Sequence, residues 1–189
     1  MNVYDFDKTI YNGDATLDFW RFCLRRSPGV WLALPWQLLS AARYALQIWE
    51  KTRFKEGFYC FLPYVKNVDK AVEDFWRQQE QKLYPWYLAQ KTGEDVVISA
   101  SPEFLLSPIC EKLGVHAVIA SRVDKHTGKY TGKNCYGEEK PKRFARQFPL
   151  AAVDGFYTDS LSDLPMLLAA QRGYLVKKGV PVPFEGKAK

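Results

Sequence analysis

The sequence predicts an α/β fold with a parallel sheet, interrupted after its first strand by an inserted all-helical segment. Three observations carry this reading. Short apolar runs ending in polar residues occur at Val3 to Phe6, Val96 to Ile98 and Val153 to Tyr157, as expected of strands buried on both faces. Stretches of helical character separate the later runs. The segment from about Asp14 to Gln90 is helical in pattern throughout.

In chain order, Val3 to Phe6 is the first strand. Asp14 or Thr16 then caps a helix carrying Phe19, Phe22 and Cys23 at helical spacing. Further periodic runs follow at Leu32 to Trp49 and Val68 to Leu83. The second strand, Val96 to Ile98, leads into a helix from Pro102 to Leu113, with Ser101 as its cap and Pro102 in its first position. Ala117 to Ala120 is a third strand. The stretch Ser121 to Lys133 has two glycines among β-formers and reads as a hairpin. Helices at Lys140 to Gln147 and Asp163 to Ala170 flank the Val153 to Tyr157 strand, and Gly173 to Val176 is a further strand. The tail after Lys178, with Gly179, Pro181 and Pro183, reads as irregular surface chain. The organisation expected is a catalytic core of residues 1–13 and 91–189 and a helical cap of residues 14–90.

With 189 residues, the chain has room for one compact domain and a modest insertion, but not for two full domains. Its composition, 47% hydrophobic and aromatic-rich, excludes a disordered protein. Cys23, Cys60, Cys110 and Cys135 are scattered without a CxxC pair and read as packed free thiols. The N-terminus, Met-Asn-Val-Tyr-Asp-Phe-Asp, has no basic stretch and apolar run of a targeting signal, so a reducing cytoplasm is the expected setting. The formal charge of +6 is spread along the chain, thickening at Lys140 to Arg146 and at Lys177, Lys178, Lys187 and Lys189. A solvated surface accounts for it, phosphate-bearing ligands or an anionic membrane come second, and nucleic acid is not an expected partner.

Four stretches carry candidate chemistry, each just beyond the carboxyl end of a predicted strand, where open α/β sheets bind ligands. In Asp5-Phe6-Asp7-Lys8-Thr9, alternation puts Asp5 and Asp7 on one side and Phe6 in the core. Two carboxylates so close repel unless a cation separates them, and Mg2+ prefers such hard oxygen ligands. Asp5 would then attack phosphorus while Asp7 handles the leaving-group proton. In Ser99-Ala100-Ser101-Pro102, the Ser99 hydroxyl and neighbouring N–H groups such as that of Ala100 would hold phosphate oxygens at a helix start. Lys140 would neutralise charge on the nucleophile and the phosphoryl oxygens. Asp159 and Asp163, four apart across a strand-to-helix turn, suit a metal ligand and its supporting carboxylate. His116 and His126 show no ligand spacing.

Together, DxDxT (Asp5, Asp7, Thr9), Ser99, Lys140 and DxxxD (Asp159, Asp163) resemble the motifs of the haloacid dehalogenase superfamily, in its phosphoserine-phosphatase-like branch. The resemblance implies a Rossmann-like three-layer core and a helical cap. It also implies phosphate contacts from Thr9, Ser99, Ala100 and Lys140 and an aspartyl-phosphate on Asp5. Mg2+ would be held by Asp5, the backbone carbonyl of Asp7 and Asp159, with Asp163 in support. The position after the second aspartate is Gly or Ser in many relatives and is Lys8 here.

The departures concern substrate. The cap glutamate of phosphoserine phosphatases, nine residues after the nucleophile, is replaced by Asp14. Their cap arginine has no counterpart near Phe54 to Phe61, leaving Arg53 or Arg43 as substitutes. Ser27 to Trp49 contains one charge, Arg43, and tryptophans with basic flanks. The segment either packs within the protein or touches lipid as an interfacial helix pair. The expected ligand is accordingly a small phosphorylated metabolite or, alternatively, a phospholipid head group at a membrane surface. A third alternative is a non-catalytic binding module that keeps the fold.

Overall fold

The computed structural model describes residues 1–186, so that Lys187 and Lys189 lie outside the described residues. One six-stranded sheet organises the chain, in the order β3-β2-β1-β4-β5-β6. Its strands are β1 (Asn2–Tyr4), β2 (Val96–Pro102), β3 (Ala117–Ser121), β4 (Gly155–Thr158), β5 (Arg172–Lys177) and β6 (Val180–Pro183). The first five are parallel and β6 is antiparallel to β5. The chain leaves β1 toward both edges, so the crevice beyond the carboxyl ends of β1 and β4 is the switch point of the sheet.

Alternation within the strands separates two apolar layers. Val3, Val96, Ile98 and Phe156 face one side, against α7 (Glu139–Gln147) and α8 (Leu164–Ala169) through Phe144, Met166 and Leu167. Tyr4, Phe6 and Val97 face the other, against α6 (Glu103–Leu113). That second layer runs on without a break into the helical segment, through Phe19 of α1 (Ala15–Arg26) and Phe75 of α4 (Val68–Gln79). Trp76 ties the two by donating from its indole nitrogen to the Leu105 carbonyl at 2.6 Å. Across β1, β4 and β5, the paired residues Tyr4, Tyr157 and Tyr174 stack ring on ring, with centroids 4.7 and 4.5 Å apart. Such cross-strand aromatic pairs pin the register.

Between β1 and β2, residues 15–90 form the helices α1, α2 (Leu34–Ala45), α3 (Lys51–Tyr59), α4 and α5 (Pro85–Gln90), with short 3-10 turns between them. Of the two capping candidates for α1, Asp14 takes the role, its Oδ1 accepting from the Leu17 N–H at 2.9 Å. None of these helices is long and apolar enough to cross a membrane. All four cysteines are free thiols.

Three expectations are corrected. The tail after Lys178 contains β6, whose prolines are tolerated because an edge strand leaves positions without a sheet partner. Ser101 does not cap α6: β2 runs to Pro102, which occupies the cap position without a side-chain hydrogen bond. The hairpin at Ser121 to Lys133 forms through a single bridge, Val123 to Tyr130, and not through extended strands.

Gly128, in the turn of that hairpin, has φ +74°, and a Cβ there would lie 2.5 Å from the Tyr59 carbonyl oxygen. Gly114, at the end of α6, has φ +71° with open space around it. Gly114→Ala should therefore cost only conformational strain, about 1 kcal/mol, whereas Gly128→Ala adds a backbone collision and should cost roughly 2–3 kcal/mol. Urea denaturation of the two variants checks this; equal losses would contradict the contact between the hairpin and α3.

Candidate active site

β1 ends at Tyr4, and the Asp5 N–H continues the pairing by donating to the Tyr157 carbonyl at 2.8 Å. The chain then turns tightly. The N–H groups of Thr9, Ile10 and Tyr11 all donate to the Phe6 carbonyl, and Lys8 adopts a left-handed backbone with φ 55°. That conformation is costly for a residue with a Cβ, which explains why glycine suits the position. The turn presents Asp5 and Asp7 to a cavity of about 470 Å3 while Phe6 is fully buried.

Lys140 stands in the first turn of α7, where the helix dipole disfavours a cation. Two carboxylates offset this: its Nζ donates to Asp5 Oδ1 at 2.8 Å and to Asp163 Oδ2 at 2.6 Å. Burial opposes the Lys140 charge, but Asp5 and Asp163 outweigh it and hold its pKa above the ordinary value. Asp163 Oδ2 also accepts from the Thr158 hydroxyl at 2.9 Å. Among the described residues no protein group donates to Asp5 Oδ2.

Asp7 is anchored differently. Its Oδ1 accepts from the Ala15 N–H, at the start of α1, at 2.7 Å, and its Oδ2 from the Ser101 hydroxyl at 2.5 Å. Ser101 in turn shares a hydrogen bond with Thr16 at 3.1 Å. Burial raises Asp5 to about 6, with Lys140 pulling it back and Asp163 and Asp159 adding to the rise. Burial, Asp14 and Asp5 raise Asp7 to about 7. Asp159 is raised too, first by burial, with Lys8 opposing.

The pairing of β2 with β3 slips between Ile98 and Pro102, and this irregularity turns Ser99, Ala100 and Ser101 toward the cavity. Ser99 therefore sits in a strand bulge and not at a helix start; its hydroxyl oxygen accepts from the Ser101 N–H at 3.1 Å. The Ala100 carbonyl accepts from Lys55 Nζ at 2.9 Å. Thr9 is fully buried in the turn, its hydroxyl is without a protein partner, and it does not line the cavity.

Asp5, Asp7, Asp14, Ser99, Ala100, Lys140, Asp159 and Asp163 all line this one cavity. Arg53 does not: its guanidinium stacks on Trp49 at 4.8 Å, as does that of Arg43 at 4.9 Å. The helical segment instead contributes Lys51 and Lys55, four apart on the face of α3 opposite to Arg53. Desolvation lowers Lys55 to about 8, Asp7 partly offsetting it and Lys51 adding to it. Spacing on α3 against Phe54 and Phe58, which also line the cavity, is the signal that would have identified the pair.

No three Asp, Glu, His or Cys side chains form a ready-made metal cluster among the described residues. The expected donor set has only two carboxylates, Asp5 and Asp159, plus a backbone carbonyl, so such a cluster is not its signature. The residues fit a hard dication on other grounds. Asp5 is raised first by burial and further by Asp163 and Asp159, Asp163 Oδ1 is buried without a partner, and the available donors are all oxygens.

The family model described as haloacid dehalogenase-like hydrolase matches residues 3–168. A probable phosphatase of Mycobacterium tuberculosis is 40% identical over 95 residues, covering 44% of this chain and 32% of that protein. The chain thus spans about a third of that relative's length. Among solved structures, a Bordetella pertussis protein of unknown function superposes with TM-score 0.74 at 21% identity, covering 92% of this chain and 87% of the other. A probable phosphoserine phosphatase of Vibrio cholerae gives 0.63 at 14% identity, with 91% and 55% covered. At these identities the structures speak to the fold alone. On the match across most of its length, the chain belongs to the haloacid dehalogenase-like hydrolase family.

Proposed function

We propose that the protein is a Mg2+-dependent phosphatase that hydrolyses a phosphomonoester through an aspartyl-phosphate on Asp5. The observation that carries this reading is the division of labour between two neighbouring carboxylates. Lys140 holds one oxygen of Asp5 and leaves the other without a protein donor, while Ala15 and Ser101 fix both oxygens of Asp7.

In this reading Asp5 Oδ2 attacks phosphorus and the bond to the ester oxygen breaks. Asp7, near neutrality in its protonation, gives its proton to the departing oxygen. Water then attacks the aspartyl-phosphate, Asp7 takes its proton, and phosphate leaves with Asp5 restored. Lys140 and the Ser99 hydroxyl steady the phosphoryl oxygens. Mg2+, held by Asp5, Asp159 and the Asp7 carbonyl, would neutralise charge on the phosphoryl group and orient it. Residues 14–90 act as a cap over a core of residues 1–13 and 91–189. From the cap side Lys51, Lys55, Leu17, Phe54 and Phe58 receive the leaving group, with Lys55 as the donor to a second polar or anionic group on it. The free thiols accord with a cytoplasmic setting.

The direct test is phosphate release from phosphoserine, sugar phosphates, phosphoethanolamine and a lysophospholipid phosphate, with and without Mg2+. Release that needs Mg2+ and falls by about 10^3 or more in Asp5→Asn is expected, since an amide is no equivalent nucleophile; substantial turnover by the variant would overturn the assignment. Lys55→Met should raise KM about tenfold or more with kcat little changed, because it removes binding shared by ground and transition states. A fall confined to kcat would place Lys55 in the chemistry instead.

Ser101 lowers the pKa of Asp7, so Ser101→Ala should shift the falling limb of the pH–rate profile upward as well as slow turnover. An unmoved limb would exclude Asp7 as the acid. Stability should respond in the opposite direction to the usual carboxylate case. Asp5 and Asp7 titrate at about 6 and about 7 against an ordinary 3.8, so the metal-free fold binds more protons than the unfolded chain in that interval. Their contribution is complete below the ordinary value and is lost as pH rises through 6 to 7. Thermal melting should therefore show Mg2+ stabilising the protein more at about pH 7.5 than at about pH 5. Equal stabilisation at both would contradict a metal held by Asp5.

A further inference from the structure

α2 is folded inside out. The residues it buries are polar: Gln37 is 7% exposed and Ser40 0%, whereas Leu38 is 71% exposed and Leu46, the residue that caps its end, 70%. Gln37 turns inward to donate to the Phe58 carbonyl at 2.7 Å, and the Ser40 hydroxyl donates to the Trp36 carbonyl. Opposite Ser40 stands Gly57 of α3, where any Cβ would collide with the Ser40 side chain. Close approach through small residues, with apolar side chains turned outward, is how helices pack where the surroundings are themselves apolar. The outward face continues beyond the helix ends through Leu32 and Ile48, which are 70% and 65% exposed.

The rim of this face has one sign of charge and an interfacial chemistry. Trp36 and Trp49 lie 6.3 Å apart, and Arg43 and Arg53 stack on Trp49. Neither guanidinium forms an ion pair among the described residues. Glu50 is the sole acid between Ser27 and Arg53. Tryptophan with arginine at the border of an apolar face suits the head-group layer of a membrane, and unpaired arginines favour an anionic one. A second copy is disfavoured, because a two-fold contact through this face would gather the unpaired arginines of both copies around one interface with no acidic partner but Glu50.

We propose that the outward face of α2 docks the protein on an anionic lipid surface. Tyr44 of α2 stacks on Phe54 at 4.8 Å, and Phe54 lines the cavity. Docking would therefore set the Phe54 wall of the cavity one side-chain layer from the lipid, within reach of a phosphomonoester carried on it. This last consequence rests on the phosphatase reading; the docking does not.

Co-sedimentation of the full chain with vesicles tests it, using phosphatidylcholine alone and phosphatidylcholine mixed with phosphatidylglycerol. The wild type should bind the mixed vesicles at least about tenfold better than the neutral ones and release from them as salt rises. Leu38→Glu/Leu46→Glu should lose that binding, while Leu150→Glu, the same change at an exposed leucine away from this face, should keep it. Unchanged circular dichroism shows that the variants fold. Failure of the wild type to bind, equal binding by the double variant, or a wild-type dimer that the double variant dissociates without vesicle binding would each overturn the proposal. Phosphate release from a soluble ester by the same variants reports separately on the catalytic reading.

Discussion

Lys140 places an ammonium between Asp5 and Asp163 where solvent hardly reaches it, and three distant parts of the chain meet through that group. The loop after β1, the first turn of α7 and the turn after β4 each carry one member of the triad. Two carboxylates around one cation leave a net negative charge in a buried place, and Asp159 adds to it from the cavity wall. Removing the cation would strand that charge at a cost of about 3–5 kcal/mol. Burial is the first reason that Asp5 and Asp159 rise above the ordinary carboxylate range, and the surplus adds to it and makes the site suit a dication. The sheet exists, in functional terms, to hold this arrangement at its switch point.

The two aspartates of the first loop differ because their surroundings do. Asp5 faces a cation and Asp7 faces only neutral donors, Ala15 N–H and Ser101 hydroxyl, with Asp14 nearby. Asp7 is therefore the group whose proton is mobile near neutrality, while Asp5 is drawn toward ionisation by Lys140. The helical segment takes part in this directly, since both Ala15 and Thr16 belong to α1.

Much of this was legible in the sequence. Apolar runs ending in polar residues located β1, β2 and β4 within a few residues, because strands buried on both faces lose their alternation, and Ala117 to Ala120 and Gly173 to Val176 marked β3 and β5. The strand ends also located the loops that surround the cavity. What was not legible depended on tertiary context. Pro181 and Pro183 read as breakers, yet an edge strand absorbs them. The bulge that turns Ser99 to Ser101 inward is a register slip with no signature in residue type. Arg53 was considered for its chemistry, whereas helix geometry selects Lys51 and Lys55 and gives Arg53 to Trp49. Thr9 matches a motif position but is fully buried and does not line the cavity.

In the proposed reaction Asp5 becomes covalently phosphorylated. Acid quenching during turnover, borohydride reduction of the acyl phosphate and peptide mass mapping would test it most directly. The reduction mark is expected on Asp5, and absent when Lys140, which holds Asp5 Oδ1, is replaced by Met. A mark on Asp7 or another residue, or turnover with no acyl phosphate at all, would contradict it.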